Sequence, residues 1–303
     1  MVLNIFKIKI IDAFVNKLKF KILKKFGITT SSRTFKSDCE TISYKSNAWI
    51  SPKSAAVYVK EVEEIFFENV TWPLISKNIN KNSKNIIDVG AGTGRITTKI
   101  IDMFDQYQTT PLIKAIDISK NMLDYIKPRK NLEKIVSDAY NLPIANDLSD
   151  TTIAMEFLLH FPNWDDLLKE MIRVTIPGGN IIFNYVPEEH INLTEKINLL
   201  NPKPVAFTEY TPKISESRLV SFCEKNNCNL KRIIPYMFFN NSELFRPLLR
   251  RSSYKEFMKR YQNLYDLNEK KDLLKTYVDI ENLIARNGDP RMCSLALAVI
   301  EVN

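Results

Sequence analysis

Three closely spaced glycines are the residues of this sequence whose type and spacing best suit chemistry. Gly90, Gly92 and Gly94 follow the apolar run 86–89, and residues 95–101 are typical of the start of a helix. Glycines at a strand-to-helix turn let a ligand approach the backbone where a Cβ atom would collide. The amides at the start of the helix add a polar, slightly positive rim. The pattern therefore predicts a site for a nucleotide-type cofactor.

The glycine spacing distinguishes between cofactors. Dinucleotide-binding turns have the pattern G-x-G-x-x-G, in which the third glycine allows the helix to pack closely on the strand. Here the pattern is G-x-G-x-G, with Asp88 two residues before the first glycine and the bulky Arg95 after the last. The spacing argues against NAD.

Further acids follow the next apolar runs. Asp117 ends the run 112–116, where a carboxylate can accept hydrogen bonds from ribose hydroxyls. Ile118 would then pack on an adenine ring, with Met122 at the start of the next helix near it. Asp138 and Ala139 follow a third run, 132–136, where a carboxylate and a backbone amide can read an adenine edge.

Alternating strand and helix patterns must position these residues. The strands are expected at 86–89, 112–116, 132–136, 151–155 and 181–186, with an amphipathic helix over 165–174 before Pro177-Gly178-Gly179. Later patterns predict helices over 215–226, 242–250, 254–267 and 269–287, and strands over 230–239 and 294–302. Pro235 implies that strand 230–239 lies at an edge or contains a bulge.

In this order, the landmarks over about 81–186 resemble those of the class I S-adenosylmethionine (SAM) dependent methyltransferases. The resemblance implies a seven-stranded Rossmann-like α/β sheet with helices on both faces, in which the last two strands form an antiparallel hairpin. It also implies SAM as cofactor. The cofactor contacts that we expect are Asp88, Gly90, Ala91, Gly92, Asp117, Ile118, Met122, Asp138, Ala139 and Glu156. One departure is Thr175-Ile176, where the family commonly has Leu-Lys, and it leaves the cofactor site intact.

The same resemblance divides the chain into four segments. Residues 1–80 form a basic N-terminal extension with cover helices, and 81–188 form the SAM-binding core. Residues 189–292 hold strand six and a helical insertion that serves as a substrate lid, and 293–303 supply the final core strand. Tyr58, in the helix expected over 55–67, could reach the site or simply pack at an interface.

A general base is needed only where the methyl acceptor must lose a proton. His160 follows the fourth strand, where the family faces its substrate, and is our candidate catalytic residue. The alternative is that it caps the loop or packs against Phe161 and Trp164. His190 is a weaker candidate at the mouth of the expected lid. The four cysteines lack the paired spacing of a zinc site, so we expect no metal and reduced thiols.

The first 26 residues are strongly basic. They carry seven lysines against one acid, whereas the whole chain has a net charge of +8. Large apolar residues are mixed with these lysines, so the segment could pack on the protein as a helix, lie on an anionic membrane surface or contact nucleic acid. It is too charged for a secretory signal. We expect a cytoplasmic protein with a peripheral membrane contact as one alternative.

A small organic acceptor methylated on O, N or C is the function that we favour. Glu156-Phe157-Leu158-Leu159 replaces the Asn-Pro-Pro-aromatic tetrapeptide of enzymes that methylate amino groups of DNA, and no RNA-binding module is visible. A methyltransferase acting on RNA or protein, and a SAM-binding protein that does not methylate, remain the alternatives.

Overall fold

The described residues of the computed structural model are 67–198, 211–238, 267–287 and 293–303. They form one seven-stranded sheet in the order β3-β2-β1-β4-β5-β7-β6. The first five strands run parallel, and β7 pairs antiparallel with both β5 and β6. The strands are β1 Asn85–Val89, β2 Leu112–Asp117, β3 Leu132–Val136, β4 Ser149–Ala154, β5 Thr175–Tyr185, β6 Cys228–Tyr236 and β7 Leu295–Val302. The predicted fold class, including the antiparallel final hairpin, is confirmed.

Helices lie between these strands. A π-helical turn at Phe67–Thr71 leads into the first of them. The helices are α1 Trp72–Ser76, α2 Arg95–Gln106, α3 Lys120–Leu123, α4 Trp164–Val174, α5 Glu188–Asn198, α6 Glu216–Lys225 and α7 Leu267–Asn287, with a 3₁₀ turn at Leu158–His160. The predicted helices 242–250 and most of 254–267 lie outside the described residues, as do Tyr58, Cys39 and the basic segment 1–26.

The core lies on both faces of the central strands. Ile86 and Ile87 are neighbours on β1, and both are fully buried although they point to opposite faces. Ile86 belongs to the apolar cluster that includes α2, and Ile87 to the cluster that includes α4. Burial on both sides is why the parallel strands read as continuous apolar runs.

Two strand boundaries differ from the sequence prediction by more than two residues. Strand β5 begins at Thr175 rather than at residue 181, because Thr175 pairs with Ser149 and a register shift in β4 accommodates the Pro-Gly-Gly stretch. Strand β6 lies at one edge of the sheet and has a register shift between Leu230 and Arg232, in line with the expectation from Pro235. It ends at Tyr236 rather than at residue 239, because Met237 adopts a positive φ of 61°.

Helix α7 is attached to the end of β6 through a buried acid. Glu281 is fully buried, and its two carboxylate oxygens accept hydrogen bonds from the Phe238 amide at 2.9 and 3.1 Å. Val278, one turn earlier, is also buried. Helix α7 is therefore attached to the sheet close to its carboxyl edge.

Candidate functional site

The candidate site lies at the carboxyl ends of the parallel strands, beside β1 and β4. After β1 the chain moves outward to β2 and β3, and it then returns to the other side of β1 to form β4. Ligands of open α/β sheets bind at such a switch point, outside the carboxyl ends of the strands. The glycine turn follows β1 at this place.

The turn depends on backbone conformations that favour glycine. Gly90, Gly92 and Gly94 have φ values of 72°, 55° and 82°. A Cβ atom on Gly90 would lie 2.3 Å from the Phe157 ring, so this glycine also makes room for the loop after β4. The amides of Gly90 and Ala91 donate to the Ile116 carbonyl at 2.8 and 2.9 Å, which ties the turn to β2.

Asp117 joins the glycine turn to the loop after β2. Its Oδ2 accepts a hydrogen bond from the Gly92 amide at 2.9 Å, and its Oδ1 accepts one from the Ser119 amide at 2.8 Å. Burial raises the pKa of this carboxyl group, and the backbone hydrogen bonds oppose the rise. The two bonds fix the orientation of the carboxylate at the position predicted to face a ribose.

Asp88 is buried behind the turn. It is 2% exposed, and its Oδ2 accepts a hydrogen bond from the Thr97 hydroxyl on α2 at 2.5 Å. Burial raises the pKa of Asp88 to about 7, and the nearby Asp117 adds to the rise. The hydrogen bond from Thr97 thus joins α2 to β1 through Asp88. The predicted contact of Asp88 with a cofactor stays a prediction.

The remaining predicted cofactor residues lie along the neighbouring strand ends. Ile118 is 36% exposed beside Asp117. Met122 is buried, and its Cε would be 3.7 Å from a Cβ atom on Gly92. Asp138 accepts a hydrogen bond from the Tyr140 amide through Oδ1 at 3.0 Å, and Ala139 packs on the core. An apolar surface and two oriented carboxylates thus occur close to the turn.

Glu156, after β4, belongs to a polar network that sequence reasoning missed. Its amide donates to Asn184 Oδ1 at 2.6 Å, and its Oε1 accepts from Asn184 Nδ2 at 2.6 Å. Asn184 Nδ2 also donates to the Tyr236 hydroxyl at 2.8 Å. The residue as a whole is exposed, yet crowding around its carboxyl group raises the pKa, and Asn184 and then Arg95 oppose the rise. In the sequence, the one feature that could have indicated this network is the asparagine within the apolar stretch 181–186.

The two histidines have different surroundings. His160 ends the 3₁₀ turn that follows Glu156 and is half-buried, and its amide donates to the Phe157 carbonyl at 3.1 Å. His190 is buried within α5, with Nε2 3.4 Å from the Thr194 hydroxyl. His160 thus lies on the loop at the site, whereas His190 faces the interior. A catalytic role for His160 stays a prediction.

Comparison with known proteins identifies the architecture. Residues 87–183 match a family model described as a methyltransferase domain, and this range runs from β1 into β5. Residues 87–183 of this chain are thus similar to a methyltransferase domain. The match begins at Ile87 and includes Asp88, the glycine turn, Asp117, Asp138 and Glu156.

Several named methyltransferases are similar to this chain over this domain. Methyltransferase GfsG of Streptomyces halstedii is 33% identical over 121 residues, which cover 38% of this chain and 42% of that protein. Norajmaline N-methyltransferase of Rauvolfia serpentina is 27% identical over 160 residues, 52% of each chain. The chain therefore spans about half the length of the curated relatives that it matches.

Solved structures share the fold of the methyltransferase domain. Phosphoethanolamine N-methyltransferase 2 of Haemonchus contortus, solved with SAM, has a TM-score of 0.54 and 13% identity, over 86% of this chain and 60% of that one. The [4+2]-cyclase SpnF has a TM-score of 0.50 and 13% identity, over 77% of this chain and 80% of that one. At these identities the likeness is one of fold.

Proposed function

We propose that this protein is a SAM-dependent methyltransferase that acts on a small organic acceptor through O, N or C. The observation that carries the proposal is the Asp117 carboxylate, which the amides of Gly92 and Ser119 hold beside the exposed Ile118. An oriented acid next to an exposed apolar side chain suits a ribose joined to an adenine. The glycine turn supplies the close backbone approach.

The chain's own residues divide the task of holding the cofactor. Asp117 would bind the ribose, Ile118 and Met122 would contact the adenine, and Asp138 with Ala139 would read its edge. The glycine turn and Glu156 lie at the end of the site where the β1 and β4 strands stop. When bound, SAM supplies an activated methyl group, so the protein's main work is to hold the acceptor in line with it.

The names of the relatives support a small acceptor. Norajmaline N-methyltransferase and demethylmenaquinone methyltransferase of Bacillus licheniformis are named for small organic substrates, and both are similar to the core of this chain. The second of these is 33% identical over 100 residues. We extend from these names only the class of acceptor, because the similarity covers only part of each chain.

A second candidate follows from the cyclase among the solved structures. SpnF shares this fold and is named for a [4+2] cyclisation, so the fold alone does not specify methyl transfer. The matching candidate is a protein that binds the cofactor without methylating. Conversion of SAM to its demethylated product in the presence of an acceptor distinguishes the two.

We propose a cytoplasmic location. Cys223, Cys228 and Cys293 are buried and form no disulfide within the described part of the chain, which suits a reducing compartment. No helix among the described residues is long and apolar enough to cross a bilayer. Binding of the purified protein to anionic vesicles, with and without residues 1–26, would test the peripheral membrane contact.

The deciding experiment is calorimetric titration with SAM, S-adenosylhomocysteine and NAD. We expect the first two to bind and NAD to give no heat. Asp117→Ala removes the acceptor of two backbone hydrogen bonds and the ribose contact, so we expect it to abolish SAM binding. Asp124→Ala is the matched control, because Asp124 is an exposed aspartate directly after α3 that pairs with Lys120. Unchanged affinity in Asp117→Ala would overturn the assignment.

A further inference from the structure

The network formed by Glu156, Asn184 and Tyr236 places a strained acid at the carboxyl edge of the sheet. Glu156 follows β4 by two residues and has a φ of 54°, which residues with side chains rarely adopt. Such conformations persist where surrounding contacts hold them, and they concentrate at ligand sites. Next to it, Phe157 fills the space left by Gly90, so the loop is pressed onto the glycine turn.

Asn184 is the group that holds Glu156 in this position. It is fully buried on β5, between the apolar Phe183 and Tyr185. A buried amide is tolerated only when it is hydrogen-bonded. Asn184 makes three hydrogen bonds, and two of them go to the backbone and the carboxylate of Glu156. Both the position of the residue and the direction of its carboxylate are thus set from the core.

Tyr236 anchors the other side of the amide. It lies at the end of edge strand β6, which is separated from β5 by β7, and its buried hydroxyl reaches across β7 to Asn184. The position of one carboxylate therefore depends on β4, β5 and β6 together. The oxygen and the nitrogen of the Asn184 amide are both hydrogen-bonded in this network, which restricts the movement of the Glu156 side of it.

One oxygen of that carboxylate is left open. Oε1 of Glu156 is bound to Asn184, whereas no hydrogen bond from the described ranges reaches Oε2. Glu156 as a residue is exposed, and it lies at the carboxyl edge of the sheet, where ligands of open α/β sheets bind. The Arg95 guanidinium acts on the same carboxyl group by its charge. Arg95 itself stacks on the Phe67 ring, 4.5 Å from the ring centroid.

We propose that Oε2 of Glu156 binds the N–H or O–H group that is methylated, with Asn184 as its positioning residue. This inference rests on the proposed function, because it assigns the acceptor side of the same site. An anionic oxygen selects an amine or hydroxyl acceptor and disfavours a carboxylate at the point of transfer. It deepens the predicted role of Glu156, from a general cofactor contact to recognition of the acceptor.

The proton balance of the reaction fits this role. As the lone pair of the acceptor heteroatom forms its bond to the methyl carbon, the carbon–sulfur bond breaks and its electron pair returns to sulfur. The acceptor N–H or O–H bond then gives its proton to Glu156, and the carboxylic acid releases it to solvent. No oxidant, reductant or further reactant is needed.

The test uses two cofactor analogues, so that the acceptor need not be known. Sinefungin carries an ammonium group where SAM carries its methylated sulfonium, whereas S-adenosylhomocysteine has a neutral sulfur there. A carboxylate directed at the acceptor should favour sinefungin. Glu156→Gln keeps the shape and the hydrogen bond to Asn184, so we expect sinefungin affinity to fall by about tenfold or more, as for a lost charge-assisted hydrogen bond. Affinity for S-adenosylhomocysteine should change less than about threefold.

The outcomes separate the two proposals. Glu133→Gln, on exposed β3 and paired with Lys114, is the matched control and should leave both affinities unchanged. If Glu156→Gln lowered the affinity for both analogues equally, Glu156 would be a contact to the cofactor alone, and the inference would be overturned. Unchanged affinities for both would also overturn it. Failure of the wild-type protein to bind either analogue would instead reject the proposed function.

A double-mutant cycle tests Asn184 as the positioning residue. We expect Asn184→Ala to lower the preference for sinefungin as Glu156→Gln does, and the double variant to lose little more, because both changes act on one unit. A merely structural role for Asn184 would lower the affinity for both analogues together. Additive losses of preference would contradict the positioning role.

Discussion

At the scale of single residues, Gly90 and Phe157 determine each other's place. The phenyl ring lies where a Cβ atom on residue 90 would be, and the same ring contacts Phe161 with a centroid distance of 4.8 Å. Phe157 also adjoins Glu156, whose backbone has a positive φ. The glycine turn and the acceptor loop are therefore one packing unit, and a change in either should be felt by the other.

Two glycine substitutions test this coupling. Gly178 also has a positive φ, of 77°, but a Cβ atom there would meet nothing within 4 Å. We expect Gly178→Ala to lower the free energy of unfolding by about 1 kcal/mol, because only backbone strain is added. Gly90→Ala adds a collision with Phe157, so it should cost clearly more and should also weaken SAM binding. Urea unfolding and calorimetry measure both effects.

Equal stability losses in the two glycine variants would show that Phe157 can move away at no cost. In that case the loop after β4 would not be pressed onto the turn, and Glu156 would lack one of its supports.

At the scale of elements, α7 is attached to the sheet by Glu281. Removal of this side chain leaves the half-buried amide of Phe238 without the acceptor that holds it at 2.9 Å. We expect Glu281→Ala to lower the free energy of unfolding by about 1–3 kcal/mol. Glu281→Gln, which keeps an amide oxygen as acceptor, should cost less. Urea unfolding, together with hydrogen exchange of the amides of α7, measures the change.

The control for this prediction lies on the same helix. Asp279 is exposed two residues earlier, so Asp279→Ala should leave both the stability and the exchange rates of α7 unchanged. If Glu281→Ala behaved like Asp279→Ala, the contact with Phe238 would not be what holds the helix.

Local patterns predicted most of the elements, because periodicity and turn residues act over a few positions. Strand 132–136 was predicted to the residue, and Pro235 correctly indicated an edge strand or a bulge, both of which occur. The glycines and Asp117 could also be predicted from the sequence, since their spacing depends on one turn and one strand end. The network of Asn184 and Tyr236 could not be predicted from the sequence. The two residues are 52 positions apart, and they come together beside Glu156 only once β5, β7 and β6 lie side by side.

At the scale of the whole molecule, the site places acids where water is scarce. Asp88 and Asp117 both have raised pKa values, chiefly because burial disfavours the charged form, and the charge of Asp117 adds to the rise at Asp88. Asp88 is the more enclosed of the two and has Thr97 as its hydrogen-bond donor. Such a group makes the stability of the whole fold depend on pH.

The direction of that dependence follows from the two pKa values of Asp88. The ordinary value is 3.8 and the folded value is about 7, so between these the folded protein keeps a proton that the unfolded chain has released. The free energy of unfolding contributed by this group therefore falls as the pH rises from about 4 to 7, and the loss is complete above 7.

Asp88→Asn should remove this dependence, because the amide cannot ionise and its oxygen still accepts from Thr97. We expect the variant to match the wild type near pH 4 and to exceed its free energy of unfolding by about 2–4 kcal/mol at pH 8. Urea unfolding at the two pH values without ligand measures the difference, with the exposed Asp124→Asn as a control that shows none. A difference between Asp88→Asn and the wild type that does not grow with pH would mean that Asp88 is ionised in the folded protein throughout this range. Its carboxylate would then have to be stabilised by more than the Thr97 hydroxyl.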